Sequence, residues 1–208
     1  DEWLYRRDKV KQLLKNRLLL SKPQSLRPLK CEIRVVQHSE VDSLYEKFHY
    51  IGPCRAAVHY GVFLGDRLIA AASFGHPTRQ SSHPWELLRM VSDSEYRVHG
   101  IWSKLLSTFI RDYKPSSIVS FSDNRLFGGN VYAKIGFKFD GDVHSDYYWV
   151  KGSRRFHKSG LRKRGVEREL SLTEGQLRNS QGYKRVWDLG KKRWLINSLP
   201  SCKRILAR

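Results

Sequence analysis

The chain has 208 residues, 40% of them hydrophobic and 12% aromatic, which suits one or two small domains with a packed core and excludes wholesale disorder. Thirty-nine Lys and Arg against twenty Asp and Glu give a net charge of +19, so nucleic acid is the default partner and a membrane surface the weaker one. No run approaches the ~20 apolar residues of a membrane span, and three widely spaced cysteines (Cys31, Cys54, Cys202) with no CxxC pair point away from a zinc ribbon or a disulfide scaffold and towards reduced thiols inside a cell.

Leu4, Val10, Leu13, Leu14 and Leu18 recur at helical spacing over 3–20. Pro23 and Pro28 forbid a regular helix over 22–28, which reads as a linker. Alternation over 32–36 predicts a strand. Ser39 is placed to cap a helix over 40–48, with Val41, Leu44, Tyr45 and Phe48 on one face. A loop follows, His49-Tyr50-Ile51-Gly52-Pro53. The apolar runs 58–64 and 67–74 are joined by Gly65-Asp66, a dipeptide suited to a two-residue hairpin. A third strand fits 85–91. Ile101, Leu105, Phe109 and Tyr113 stand four apart and predict a helix over 100–113, which Pro115 ends. Residues 117–121 read as a short buried strand, 130–135 as a short helix, and 138–140 and 146–150 as two last strands. This order predicts an α+β fold around a mixed central sheet flanked by helices. A parallel step at the strand–helix–strand crossover leaves a splayed gap where a ligand can enter.

The charge divides the chain into three. Residues 1–31, a basic helical arm and linker, carry nine basic and three acidic groups, a net of +6. Residues 32–150, the core, carry thirteen of each. Residues 151–208, a basic extension, carry seventeen basic and four acidic groups, a net of +13. The extension contains Phe156, Tyr183, Val186, Trp187, Trp194, Leu195 and Ile196, too apolar for a simple tail. Arg154, Arg155, Lys158, Arg162, Lys163 and Arg164 are too dense to pair with acids and read as phosphate contacts. Lys191, Lys192 and Arg193 beside Trp194 form a cation–aromatic mix suited to stacking on an exposed base.

Several residues are candidates for chemistry. His49-Tyr50 sits in a loop, where His serves as general base or metal ligand near neutral pH; the alternative is a buried, hydrogen-bonded pair. Asp123 follows a buried strand, where α/β-type sheets place ligands. It either orients a base or takes a proton from it, or else forms an Asx turn with Asn124. Tyr60, Ser73, Arg89 and Arg125 stand second. His76 and His83 flank a Pro-containing loop that reads as an ordinary surface loop before it reads as a lid.

Asn130-Val131-Tyr132-Ala133-Lys134-Ile135-Gly136-Phe137 is similar to the signature that closes GNAT N-acetyltransferase domains, and the element order resembles that fold. His49-Tyr50-x-Gly52, Tyr60-Gly61-Val62-Phe63, Ser73-Phe74-Gly75, Glu86-Leu87-x-Arg89, Ser120-Phe121-Ser122-Asp123 and Gly129-x-x-Tyr132 resemble two phage-associated groups. One is the Mom-like DNA-modification transferases. The other is the C-terminal half of Vsr-like homing endonucleases, which also resembles the first eight residues, 30–36, 154–158, 161–163 and 182–188, and implies a nuclease ahead of Asp1. The first resemblance implies a catalytic His49-Tyr50 pair; in a working transferase Asp123 serves with it and Tyr132 is the general acid towards a leaving thiolate, the alternative being that Tyr132 is a core aromatic on a short helix. It also allows a metal ion at His49, Tyr50 and a tyrosine of the closing strands, Tyr148 or Tyr147. The GNAT resemblance implies acyl-CoA or another activated acyl donor at the turn Arg97-x-x-Gly100-x-Trp102 and Ser103, where Trp102 replaces a small residue. Two readings follow. One is a phage-type transferase that adds an acyl or aminoacyl group to a DNA base; the alternative is a non-catalytic DNA-recognition domain of a homing endonuclease. A small-molecule or protein acetyltransferase ranks last, because it makes no use of the basic extension. The resemblance implies a phage-encoded protein in the bacterial cytoplasm.

Overall fold

The computed structural model of the chain describes residues 2–18, 20, 22–77 and 82–197. Cys202 lies outside them. The helical arm forms as α1 (Glu2–Tyr5) and α2 (Arg7–Arg17). The expected linker is instead partly extended: β1 (Gln24–Leu26) pairs in parallel with β6 (Tyr96–Val98), and Leu26 enters the core. Then follow β2 (Glu32–Val36), α3 (His38–Phe48), β3 (Val58–Leu64), β4 (Arg67–Gly75) and β5 (Trp85–Ser92). Gln37, not Ser39, caps α3, because the Glu40 carboxylate reaches back to the Gln37 N–H at 2.6 Å. After β6 come α4 (Ile101–Tyr113), β7 (Ser117–Asp123), α5 (Asn130–Lys134) and β8 (Lys138–Val143).

Most of the basic extension is built into structure. β9 (Tyr147–Lys151) is flanked by β10 (Arg154–His157) and β11 (Lys184–Trp187) in a three-stranded antiparallel sheet. α6 (Glu174–Ser180) lies between them in sequence, and Gln176 closes a capping box with Thr173. β12 (Lys191–Asn197) then enters the central sheet.

That central sheet has seven strands in the order β2-β3-β4-β5-β7-β12-β8. Its neighbours are antiparallel except β5 and β7, which run parallel. The α+β class with a mixed sheet is as expected. The boundary at 150 does not separate core from extension, since β12 lies between β7 and β8. α4 packs Ile101, Leu105, Leu106 and Phe109 on one face of the sheet, each worth roughly 1.5–3 kcal/mol when fully buried. There Phe109 stacks on Phe74 with ring centroids 3.8 Å apart. α3 covers the other face through Val41, Leu44 and Tyr45.

Candidate functional site

β5 and β7 are the parallel pair, and their pairing stops after two positions, Trp85 opposite Ile118 and Glu86 opposite Val119. Beyond Glu86 the strands part. A side chain bridges the first step of the gap: Ser120 Oγ donates to the Leu87 carbonyl at 2.9 Å. The parting is the splayed gap expected from the crossover.

Tyr132, on α5, reaches this gap. Its hydroxyl donates to the Phe121 carbonyl at 3.4 Å. Burial raises its pKa, Glu86 adds to the rise, and a Ser120 hydrogen bond and Arg89 oppose it. The hydroxyl therefore keeps its proton at neutral pH. Its ring stacks on Trp194 of β12 at 5.7 Å, and Trp194 Nε1 donates to Ser122 Oγ at 2.9 Å. Glu86, 6% exposed, stands at this gap, and sequence reasoning named it only within a motif, not as a site residue. The signal available was a lone carboxylate inside an apolar strand.

Arg89 ties the gap to the His49–Pro53 loop. Its Nε donates to the Gly52 carbonyl at 3.1 Å, and its charge acts on Tyr45, His49, Cys54 and Tyr132. His49 caps α3 at its C-terminus, and its Nδ1 accepts the Ile51 N–H at 3.2 Å. Burial, with Arg89 and Lys9 nearby, pushes the imidazole down to about 3. His49 is thus a neutral hydrogen-bonding group at physiological pH and a weak base. Burial pushes the Cys54 thiol up, so it is not a thiolate nucleophile. The second-tier residues Tyr60 and Ser73 are structural: Tyr60 donates to Asp112 at 2.7 Å, and Ser73 Oγ bonds Tyr45 and His59 at 2.6 and 2.7 Å. Of the loop between His76 and His83, residues 78–81 lie outside the described residues; His76 stacks on Trp85 and His83 bonds Ser117.

Asp123 and Tyr50 meet at the end of β7 through Arg125. Asp123 accepts the Arg125 backbone N–H at 2.9 Å, so the Asx turn closes on Arg125, two residues on. The same carboxylate pairs with the Arg125 guanidinium at 2.8 Å, and that guanidinium donates to the Tyr50 hydroxyl. Four proposed catalytic residues therefore fall in two groups: His49 and Tyr132 around Arg89, Tyr50 and Asp123 around Arg125. Asp123 is committed to Arg125, through its guanidinium and through the turn that closes on it.

Cations stand beside Tyr50 and Tyr148 of the metal set expected from the resemblance. Tyr148 lies on β9 with the Arg155 guanidinium 3.7 Å over its ring, and Tyr50 is held by Arg125. A cation at either place repels a metal ion. Among the described residues no three His, Cys, Asp or Glu side chains gather as a metal site.

The α4 N-terminus is open to an anionic donor on one side. Gly100 sits at φ +73° as N-cap, and no side chain caps the helix, so its first amides remain available to an anion. Arg97 and Trp102 line a recess of about 230 Å³ beside that turn, with Ser92, Ser94 and Ile101. Ser103 lies in the first turn of α4. The β1 segment covers one side: Ser25 bonds the His99 ring at 2.9 Å, and the His99 N–H donates to Leu26. The residues fit a phosphate-bearing group on the open side, with Trp102 as a wall.

The basic residues divide as well. Arg154, Arg155, Arg162 and Arg164 are exposed. The expectation that the 154–164 cluster is too dense to pair with acids is corrected at Lys158, which binds Asp146 at 2.6 Å; in the 191–193 group Arg193 binds Asp140 at 2.6 Å. Lys163 donates to the Leu170 and Leu172 carbonyls at 2.8 Å. Lys191 and Lys192 are half-buried on β12, and Lys192 lies over Phe139. Trp194 is only 7% exposed and cannot stack on a base, because it fills the core beneath α5. Sequence reasoning missed Lys151, Lys184 and Arg185, which add exposed charge to the three-stranded sheet.

No family model matches the chain, and no curated protein matches it in sequence. Its course is similar to solved acetyltransferases. A Bacillus subtilis acetyltransferase in complex with CoA is 14% identical, with TM-score 0.46, over 82% of this chain and 100% of that one. Ard1 from Thermoplasma volcanium is 11% identical, with TM-score 0.48, over 82% and 99%. The IAA acetyltransferase from Bacillus cereus is 13% identical, with TM-score 0.46, over 81% and 99%. At these identities the likeness concerns the path of the chain and not the site. Among the described residues no helix is long and apolar enough to cross a membrane.

Proposed function

We propose that the chain is an acyl-group transferase acting on DNA, with its chemistry in the gap between β5 and β7. The observation that carries this reading is the parting of the two parallel strands after Glu86, with the Tyr132 hydroxyl and the buried Glu86 carboxylate at the opening. An acyl-CoA held by Arg97 and the α4 N-terminus supplies an activated carbonyl. Tyr132, kept protonated by burial, hands its Oη proton to the leaving group. Glu86 takes the proton that the acceptor amine loses. His49, neutral and anchored to Ile51, shapes the loop beside Arg89. The DNA part of the reading is supported by the net charge of +19 and by the exposed arginines of the three-stranded sheet.

The test is nucleoside mass spectrometry on DNA from cells making this chain, beside Tyr132→Phe. A mass-shifted nucleoside is expected, falling by roughly 10²–10⁴ in the variant, as for loss of a general acid. An unmodified profile from a chain that binds DNA sinks the transferase.

A second reading, a DNA-recognition domain without chemistry, is favoured by one observation. Tyr50 and Asp123 are both committed to Arg125, which is how a structural cluster is built.

A further inference from the structure

A cavity of about 290 Å³ lies between α2, the end of α3 and the turn after β7. Its wall is apolar, with Val10, Leu13, Phe48 and Leu126, and Tyr50 closes one side. Its rim carries cations from all three segments: Arg6 just before α2 and Lys9 on it, Lys47 on α3, and Arg125 after β7. Glu46 neutralises Lys9 at 3.0 Å, and Asp123 neutralises Arg125 at 2.8 Å. The positive charge of Arg6 and Lys47 is left at the mouth.

An apolar chamber inside a cationic ring selects a ligand with two parts: a flat, uncharged body and an anion attached to it. A lipid tail would also fit the wall, but the net charge of +19 favours a polyanion such as DNA. A nucleobase with its flanking phosphates matches both parts. It stacks on aromatic rings such as Phe48 and Tyr50, and its phosphates meet Lys and Arg. We infer that this cavity holds one nucleobase of bound DNA, turned out of the duplex, with the flanking phosphates on Arg6 and Lys47. This rests on the DNA part of the proposed function. It assigns the N-terminal helix a role that charge alone does not: α2 is one wall of a base pocket. Tyr50, on one side of the pocket, belongs to the His49–Pro53 loop that Arg89 ties to the β5–β7 gap.

Turning a base out costs less where its pairing is already broken. The experiment therefore compares two duplexes of one sequence, fully paired and carrying a single mismatch, by fluorescence anisotropy with the full chain. We expect the mismatched duplex to bind about tenfold more tightly. Leu13→Trp fills the chamber and brings that ratio close to one. Lys47→Glu, an exposed change at the rim that leaves the fold alone, reduces the ratio as well, and covers the case in which Leu13→Trp fails to fold. Binding of both duplexes with equal affinity by the unaltered chain overturns the pocket and leaves the DNA reading standing. A ratio that survives both variants overturns it too. Absence of binding to either duplex at low salt overturns the DNA reading itself, and the pocket with it.

Discussion

Gly129 is the position at which a single methyl group should do most harm. It caps α5 at φ +82°, a conformation that costs an L-residue roughly 1–2 kcal/mol. The larger obstacle is Trp194. A Cβ on Gly129 would stand 2.1 Å from Trp194 Cζ2 and 2.5 Å from Cε2. The indole cannot step aside, because its N–H is bonded to Ser122 and its ring is wedged between Tyr132 and Phe139. Forcing extra volume into such a place typically costs ~1–3 kcal/mol. Gly129→Ala should therefore lose about 2–5 kcal/mol, a large share of the ~5–15 kcal/mol that holds a domain. Urea unfolding followed by tryptophan fluorescence measures the loss. The cause is isolated by repeating it with Trp194→Leu, where only the backbone part, about 1–2 kcal/mol, should remain. Equal costs in the two backgrounds would refute the clash. A cost below ~1 kcal/mol with Trp194 present would refute the whole placement of α5 on β12.

Two further outcomes follow from charge and burial. The folded His49 imidazole, near 3, lies below its ordinary value of 6.5, so the neutral form favours folding. That contribution is complete above about pH 6.5 and is lost as the pH falls towards 3. Proton NMR should show the His49 ring resonances unchanged between pH 7 and 5; a titration in that interval would show that the ring is not buried as described. Arg155 is exposed over Tyr148, so Arg155→Ala should lower the slope of log affinity against log salt for DNA by about one, measured by anisotropy. An unchanged slope would place DNA away from the three-stranded sheet.

Elements whose pattern is complete within their own residues were readable from sequence. The hairpin β3–β4 shows two apolar runs about a Gly-Asp turn, and α4 shows apolar residues four apart. The splayed gap was also readable, because strand–helix–strand order forces a parallel step. What was hidden depends on distant partners. β1 and β6 have three residues each, too few to show a period, and exist only by pairing with one another. β12 carries Lys191, Lys192 and Arg193 ahead of its apolar half, so its charge outweighs its strand pattern. Its neighbours, β7 and β8, come from far earlier in the chain. At the site, Tyr132 was found through a motif, while Glu86 needed the register opposite Val119 to show that a carboxylate stands where the strands part. Asp123 left two readings open, a site acid or an Asx turn, because sequence does not show that Arg125, itself a candidate, folds back onto its carboxylate.

The threading of β12 also changes what the basic extension is. Charge alone separates a neutral core from two basic flanks, as if the flanks were detachable. Yet β11 ends at Trp187 and β12 begins at Lys191, so only 188–190 separate the basic three-stranded sheet from the strand beneath Tyr132. Trp194, Leu195 and Ile196 of β12 are buried, each worth roughly 1.5–3 kcal/mol. Their loss amounts to about 5–9 kcal/mol, comparable with the whole stability of a domain. β8 would lose its one neighbour in the central sheet, and β7 would become an open edge. A chain cut after 150 should therefore fail to fold, although its charge is balanced and its sequence reads as a complete core. Near-UV circular dichroism and a thermal melt decide the matter: a fixed aromatic signal and a cooperative transition in the truncated chain would show that β12 is dispensable. If the truncated chain does not fold, the basic three-stranded sheet and the strand beneath Tyr132 belong to one folding unit. Loss of DNA binding and loss of chemistry can then be separated only by point substitutions, such as Arg155→Ala against Tyr132→Phe, and never by deletion.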